Sequence, residues 1–158
     1  MAAKYIDPFI NATINVFKEL FQLEAEVQKP YLVKAEAQHN WDVSAIIGIA
    51  GEAKGAVVLS FTESLAKALT GILVGRDTAV TADMVTDAIG EMVNIVAGNA
   101  KQGLEQYRLV ISLPSIVKGK NHVIAWPARG IPIIGVPFKT SLEPCHLSVG
   151  LENIITYE

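Results

Sequence analysis

Asp87-Ala-Ile-Gly-Glu91-Met-Val-Asn94-Ile-Val-Ala-Gly98-Asn99-Ala-Lys101 is the stretch on which the fold of this chain turns. Projected at about 100° per residue, Val85, Ile89, Met92, Val93, Val96, Ala100 and Leu104 share one arc, so the spacing predicts an amphipathic helix. Asp87, Glu91, Asn94, Gly98 and Lys101 fall on the opposite arc, with Gly90 and Ala97 beside them. A solvated face normally carries long Lys, Glu and Gln side chains, which favour helix. This face is short and flat, and a glycine in a helix interior costs about 1 kcal/mol relative to alanine. Something is expected to come close to this helix and to be met there by acids and an amide.

Outward from this helix, the remaining elements form a repeating order. Asp7-Pro8 reads as a helix start, an acidic cap followed by proline, with the helix running to about Phe21. It would bury Phe9, Thr13, Val16, Phe17 and Leu20, or the neighbouring stripe Ile10, Ile14 and Phe21. Residues 24–36 read as an edge strand interrupted by Pro30. Val43–Ile49 and Gly55–Thr62 read as a hairpin, with Val57, Leu59 and Phe61 alternating against Val58, Ser60 and Thr62. A short helix over Ser64–Val74 ends at Gly75, and Thr81 caps the long helix, which runs to about Gln106. Strands follow at Leu109–Lys118, Ile131–Thr140 and Cys145–Glu152, with a short fourth at His122–Trp126. In the last strand Cys145, Leu147, Val149 and Leu151 face one way and His146, Ser148, Gly150 and Glu152 the other.

Helix, strands, helix, helix, strands reads as a helix-plus-meander unit used twice, each copy of roughly 75 residues. Asn11, Asn15 and Lys18 on the first helix repeat the spacing of Asp87, Glu91 and Asn94. The expected class is α+β, with two pseudo-symmetric halves of helix and antiparallel strand in one domain over residues 1–158.

Composition narrows the function. The chain has 158 residues, enough to bury about 68–70% of its extended surface. It is 51% hydrophobic and only 18% charged, a balance that suits a large core plus an apolar contact surface. A net charge of −3 argues against a nucleic-acid footprint, and no feature suggests a membrane as partner. No secretory h-region is visible at the start and no apolar run is long enough to span a bilayer, so a cytoplasmic location is expected. A single cysteine, Cys145, excludes an intrachain disulfide and fits a reducing compartment.

Other candidate sites are weak. Gly48-Ile-Ala-Gly51-Glu-Ala-Lys-Gly55 lacks the Lys-Ser/Thr of a phosphate loop and lies between strands, so it reads as a hairpin turn. His39, His122 and His146 have no paired metal-ligand spacing, and no metal site is expected. Cys145 reads as a buried small hydrophobe, and Trp41 and Trp126 as packing at strand ends. Lys118-Gly-Lys120 opens a polar turn. Glu91 and Asn94 have no hydroxyl, thiol, histidine or lysine arranged as an activated nucleophile. On spacing alone a solvated face is the commoner explanation of a Glu and an Asn three apart, and Gly90 or Gly98 would also suit packing against a strand. If the pair is catalytic, it positions and polarises, as a glutamine orients water in small GTPases.

Asp87-x-x-x-Glu91-x-x-Asn94, continuing into Gly98-Asn99, resembles the signature of the CheC/CheX/FliY family of chemotaxis phosphatases. Tyr5 to Lys18 looks like that family's first helix, and Val43 to Phe61 like its first hairpin. Ile111-Ser-Leu-Pro114-Ser-Ile-Val-Lys-Gly119 and Gly135-Val-Pro-Phe138-Lys-Thr140 look like later strands. The resemblance covers nearly the whole chain and best fits the CheX branch, which carries one such motif. It implies hydrolysis of the aspartyl phosphate of a CheY-like response-regulator receiver domain. Glu91 would pair with the receiver's active-site lysine and Asn94 would orient the attacking water. Asp87 would support them, and Gly98 and Asn99 would shape or pack the helix. The receiver would bring the Mg²⁺, so the chain needs no cofactor of its own, and a homodimer is implied. Asn15 and Lys18 depart from the signature, which argues against a second site on the first helix. The alternatives are a non-catalytic adaptor of the same type, docking on a signalling or flagellar-switch protein, and a small-ligand sensor with an internal pocket.

Overall fold

Two prolines, Pro30 and Pro114, mark where the outer strands of the sheet break. The computed structural model describes residues 5–34, 40–120, 122–126 and 130–152. Helix α1 (Ile6–Phe21) leads into short strands β1 (Ala25–Val27) and β2 (Tyr31–Leu32), then the hairpin β3 (Val43–Gly51) and β4 (Lys54–Phe61). Helices α2 (Glu63–Val74) and α3 (Ala82–Gln102) and a 3-10 turn (Glu105–Tyr107) follow. Strands β5 (Leu109–Ile111), β6 (Ser115–Lys118), β7 (Ile133–Thr140) and β8 (Cys145–Glu152) come last. The sheet is antiparallel with the order β1-β7-β8-β4-β3-β5, β2 also pairing with β7 and β6 with β3. The mixed α+β class is as expected.

The pairing is that of two interlocked halves. The broken strand of each half crosses to the other half's hairpin: β1 and β2 line β7, while β5 and β6 line β3. Each break inserts one extra residue, the effect of a bulge. Val27 faces Phe138 but Tyr31 faces Gly135, and Ile111 faces Ile49 but Ser115 faces Ile46. The backbone N–H of Gln28 donates to Pro137 O at 2.8 Å, and that of Ser112 donates to Gly48 O at 2.9 Å. Gln28–Pro30 and Ser112–Pro114 are therefore equivalent segments, each ending in a proline that donates nothing to the ladder.

The helices cover one face. Phe9, Ala12, Thr13, Val16, Phe17 and Phe21 of α1 are buried at the positions that Val85, Ala88, Ile89, Met92, Val93 and Ala97 occupy in α3. They pack on Ala45, Ile47, Val57, Leu59, Phe61, Val136, Phe138, Leu147 and Val149 from the sheet. Thr62 and Thr81 cap α2 and α3 by accepting hydrogen bonds from the N–H groups of Leu65 and Met84. No helix among the described residues is long and apolar enough to cross a membrane.

Several local expectations are corrected. Asp7 lies inside the first turn of α1 rather than capping it, because Tyr5 and Ile6 are themselves buried and extend the helix backward. Helix α3 stops at Gln102, where a Cβ on Gly103 would stand 3.1 Å from the Pro8 ring. Leu104 is buried all the same, outside the helix. Residues 24–36 and 109–118 each divide into two strands at their proline, residues 35–36 lying outside the described residues. Residues 122–126 form no strand; they lie against the second face of the sheet, His122 on Ser44 and Trp126 over Gly150.

The second face of the sheet is also buried along β4 and β8, and polar groups sit there among Ala56, Val58 and Ile133. Tyr31 Oη lies 2.7 Å from His146 Nε2, and Ser148 Oγ 3.2 Å from His146 Nδ1. Ser44 Oγ bridges Ser60 Oγ at 2.7 Å and His122 Nε2 at 2.6 Å. Trp41 stacks near His146, with ring centroids 5.9 Å apart. A Cβ on Gly150 would touch Trp126 and Ile131, so both tryptophans pack on strands as expected. Strand alternation normally sends Ser and His to water; here each buried hydroxyl and imidazole finds a partner instead, which removes the desolvation cost.

Candidate functional site

Helix α3 holds the candidate residues on a rigid, well-anchored element. It runs antiparallel to the broken strand β5–β6, as three contacts along its length show. Lys118 Nζ donates to Ala82 O at 3.3 Å, a Cβ on Gly90 would stand 3.6 Å from Pro114 Cγ, and Gly98 and Lys101 share a concavity with Leu109 and Ile111. The apolar arc is fully buried, so the polar arc can only face outward.

Asp87, Glu91, Asn94 and Lys101 are all exposed on that arc. Glu91 and Asn94, three residues apart, stand about 60° apart around the axis and rise together along one face. Among the described residues neither makes a side-chain hydrogen bond or ion pair, nor does Asp87. Asp87 and Glu91 are like charges at i,i+4, an arrangement that costs a helix a few tenths of a kcal/mol when uncompensated. The flanking hydroxyls are committed to backbone: Thr86 Oγ1 donates to Ala82 O and Ser112 Oγ to Leu113 O. What this face offers is an unpaired carboxylate next to an unpaired amide, with no nucleophile beside them.

The small residues separate into two kinds. A Cβ on Gly98 would meet nothing within 4 Å, so the glycine leaves open space on the exposed arc. Gly90 is instead covered by Pro114 and Ile116, and Ala97 is only 1% exposed, so both belong to the packed flank rather than the open face. Asn99 is exposed but rotated about 140° from Asn94, and the structure does not bring it to the pair. On α1 the equivalent exposed positions hold Asn11, Asn15 and Lys18, so the backbone of the face is duplicated but its carboxylate–amide pair is not.

Other sequence candidates fall away from this face. Cys145 is fully buried in the core and burial pushes its thiol up to about 12, which makes it inert. His122 and His146 sit in the hydrogen-bonded face opposite the helices, and His39 lies outside the described residues. The described residues include no group of three or more His, Cys, Asp or Glu able to hold a metal ion. The 48–55 segment is the β3–β4 hairpin. Ser112, Leu113 and Pro114 read from the sequence as part of one strand, whereas the fold sets them in a break alongside α3; Lys29-Pro30 and Leu113-Pro114 carry the signal for both breaks.

Comparison with known proteins bears on the fold and the family. A family model described as chemotaxis phosphatase CheX matches residues 43–139. The CheY-P phosphatase CheX of Thermotoga maritima is 26% identical over 156 residues, covering 94% of this chain and 97% of its own. The crystal structure of the chemotaxis protein CheX from Vibrio vulnificus is 32% identical, with a TM-score of 0.83 over 95% of this chain and all of that one (100%). The CheX–CheY–BeF3–Mg²⁺ complex from Borrelia burgdorferi contains the same fold at 23% identity, with a TM-score of 0.76 over 93% of this chain and 97% of that one. With well over half of its length matched by the family's model, the chain belongs to the CheX family of chemotaxis phosphatases.

Proposed function

We propose that this chain dephosphorylates a CheY-like receiver domain, with Asn94 positioning the attacking water and Glu91 docking the receiver's active-site lysine. The observation that carries this reading is the exposed, unpartnered Glu91–Asn94 pair on a helix face opened by Gly98. A helix so arranged can enter a partner's site, because among the described residues neither side chain is engaged and Gly98 leaves open space on the same arc. The Thermotoga relative is named for CheY-P, and a protein of the same fold occurs in a complex with CheY, BeF3 and Mg²⁺.

The chemistry follows from what the face carries and lacks. With no nucleophile of its own, the chain acts on a water molecule. The Asn94 amide fixes that water through its carbonyl and N–H₂ groups, so that a lone pair points at phosphorus in line with the aspartyl oxygen. As the water oxygen bonds to phosphorus, the bond to the aspartyl oxygen breaks; inorganic phosphate leaves and the receiver's carboxylate is regenerated. Glu91 forms a charge-assisted bond with the receiver lysine and so holds the helix at the depth that Asn94 needs. Asp87 adds to the negative field that attracts that lysine. Mg²⁺ belongs to the receiver and neutralises the phosphoryl oxygens there. The chain brings no cofactor, works in the cytoplasm as a single 1–158 unit, and pairs with a second copy, which sedimentation would register as twice the chain mass.

The test is phosphate release from CheY-like receivers of the same organism, with wild type compared to Asn94→Ala and Glu91→Ala. Asn94→Ala should abolish acceleration, and Glu91→Ala should act mainly by weakening productive docking. Phosphorylation-dependent binding that survives Asn94→Ala, with no change in phosphate lifetime for either protein, would make the chain an adaptor instead.

A further inference from the structure

Among the described residues the most exposed large apolar side chain is Leu113, 87% accessible, in the break between β5 and β6. Its backbone is held on both sides. Ser112 takes a hydrogen bond from Gly48 N–H on its Oγ at 2.8 Å and gives its own N–H to Gly48 O, so the start of the break is stapled to β3. Pro114, at its end, lies on α3 over Gly90. An exposed leucine on a fixed backbone gains nothing from folding and has little backbone entropy left to lose on binding.

Its place along the helix is set by the three contacts already described. Ala82 is level with Lys118, Gly90 with Pro114, and Gly98 with Leu109 and Ile111. Leu113 therefore stands alongside the Glu91–Asn94 turn. The chain contains its own control: the equivalent break beside α1 places exposed Lys29 where the second half has Leu113, and Ile14 where it has Gly90. The half that carries the unpaired carboxylate and amide is the half that presents a leucine, next to a proline seated over Gly90.

We propose that Leu113 is a docking anchor for the receiver domain, seated in an apolar depression next to the lysine that Glu91 meets. This assignment rests on the phosphatase reading above. Uncompensated Asp87 and Glu91 call for a cation on the partner, and Leu113 calls for an apolar neighbour within a few ångströms of it. Burying one leucine is worth roughly ten- to hundredfold in affinity. The loss should show in KM and not in kcat, because Leu113 touches no reacting atom.

The experiment compares wild type, Leu113→Ala, Leu113→Lys and Asn94→Ala across a range of concentrations of a CheY-like receiver phosphorylated by acetyl phosphate. Leu113→Lys, which copies the first half, should raise KM at least about tenfold while kcat stays within about twofold. Leu113→Ala should do the same to a smaller extent. Unchanged KM in Leu113→Lys, or lowered kcat at unchanged KM, overturns the assignment. So does a change in subunit number on sedimentation, which would place Leu113 between copies of the chain. No acceleration of phosphate loss by wild type would overturn the phosphatase reading itself, and full kcat in Asn94→Ala the role of Asn94; a dead Asn94→Ala beside an unaffected Leu113→Lys would overturn the anchor alone.

Discussion

Gly98→Ala should make the protein more stable and less active at once. A glycine in a helix interior costs about 0.8–1.0 kcal/mol relative to alanine. At this position the added methyl meets nothing within 4 Å, so no clash offsets the gain. The expected stabilisation is therefore close to the full propensity difference, about 1 kcal/mol, or roughly 2–4 °C in Tm for a chain of this size. Gly90→Ala is the matched control. Its methyl would lie 3.6 Å from Pro114 Cγ and 3.8 Å from Ile116 Cδ1, ordinary contact distances, so it should stabilise by a similar amount. The two diverge with the partner. Gly98 opens the exposed arc, where a methyl raises the surface that a docked receiver meets, so its KM should rise several-fold; Gly90 is covered, so its kinetics should not change. Urea or thermal melts joined to steady-state dephosphorylation kinetics read both effects. A destabilised Gly98→Ala would show that the helix surroundings are misjudged. A stabilised Gly98→Ala with wild-type kinetics would refute the claim that its open space serves a partner.

Further expectations concern the rest of the fold. Gly135→Ala should destabilise by about 2–4 kcal/mol: the methyl would stand 2.7 Å from Tyr31 Cζ and 2.8 Å from Val33 Cγ2, forcing the ring off β7 and breaking its bond to His146. In a Tyr31→Ala background much of that penalty should vanish, and its persistence there would show that the ring is not the cause. Cys145, with its thiol raised from 9.0 to about 12 by burial, should resist alkylation at pH 8 until the chain unfolds. Because the folded chain keeps this proton while the unfolded chain releases it, stability should fall from about pH 9 toward pH 12. Cys145→Ala should flatten that slope, and an unchanged slope would point to other groups.

The helix at the centre of the site is legible because period 3.6 separates a fully apolar arc from a polar one, and burial follows that division from Val85 to Ala100. The duplication is legible from Asn11, Asn15 and Lys18, whose spacing matches Asp87, Glu91 and Asn94 and whose positions are exposed in the same way. The exchange of strands between halves is not: periodicity tells which face of a strand is buried, not which strand it pairs with. Ser44, Ser60, His146 and Ser148 mislead for a related reason. Alternation predicts an exposed face, whereas the polar groups are buried and satisfy one another beside His122 and Tyr31. Gly90 and Ala97 sit at the margin of the helical arc, and only the position of Pro114 decides that Gly90 is covered.

The most direct measurement is the first-order rate constant for loss of aspartyl phosphate from a CheY-like receiver at saturating concentrations of this protein or its Asn94→Ala variant. A water-positioning amide predicts a fall of about 10²-fold or more, toward the receiver's own rate. Binding by the variant should be retained through Glu91. A rate constant unchanged by Asn94→Ala, with acceleration intact, would contradict the assignment of Asn94.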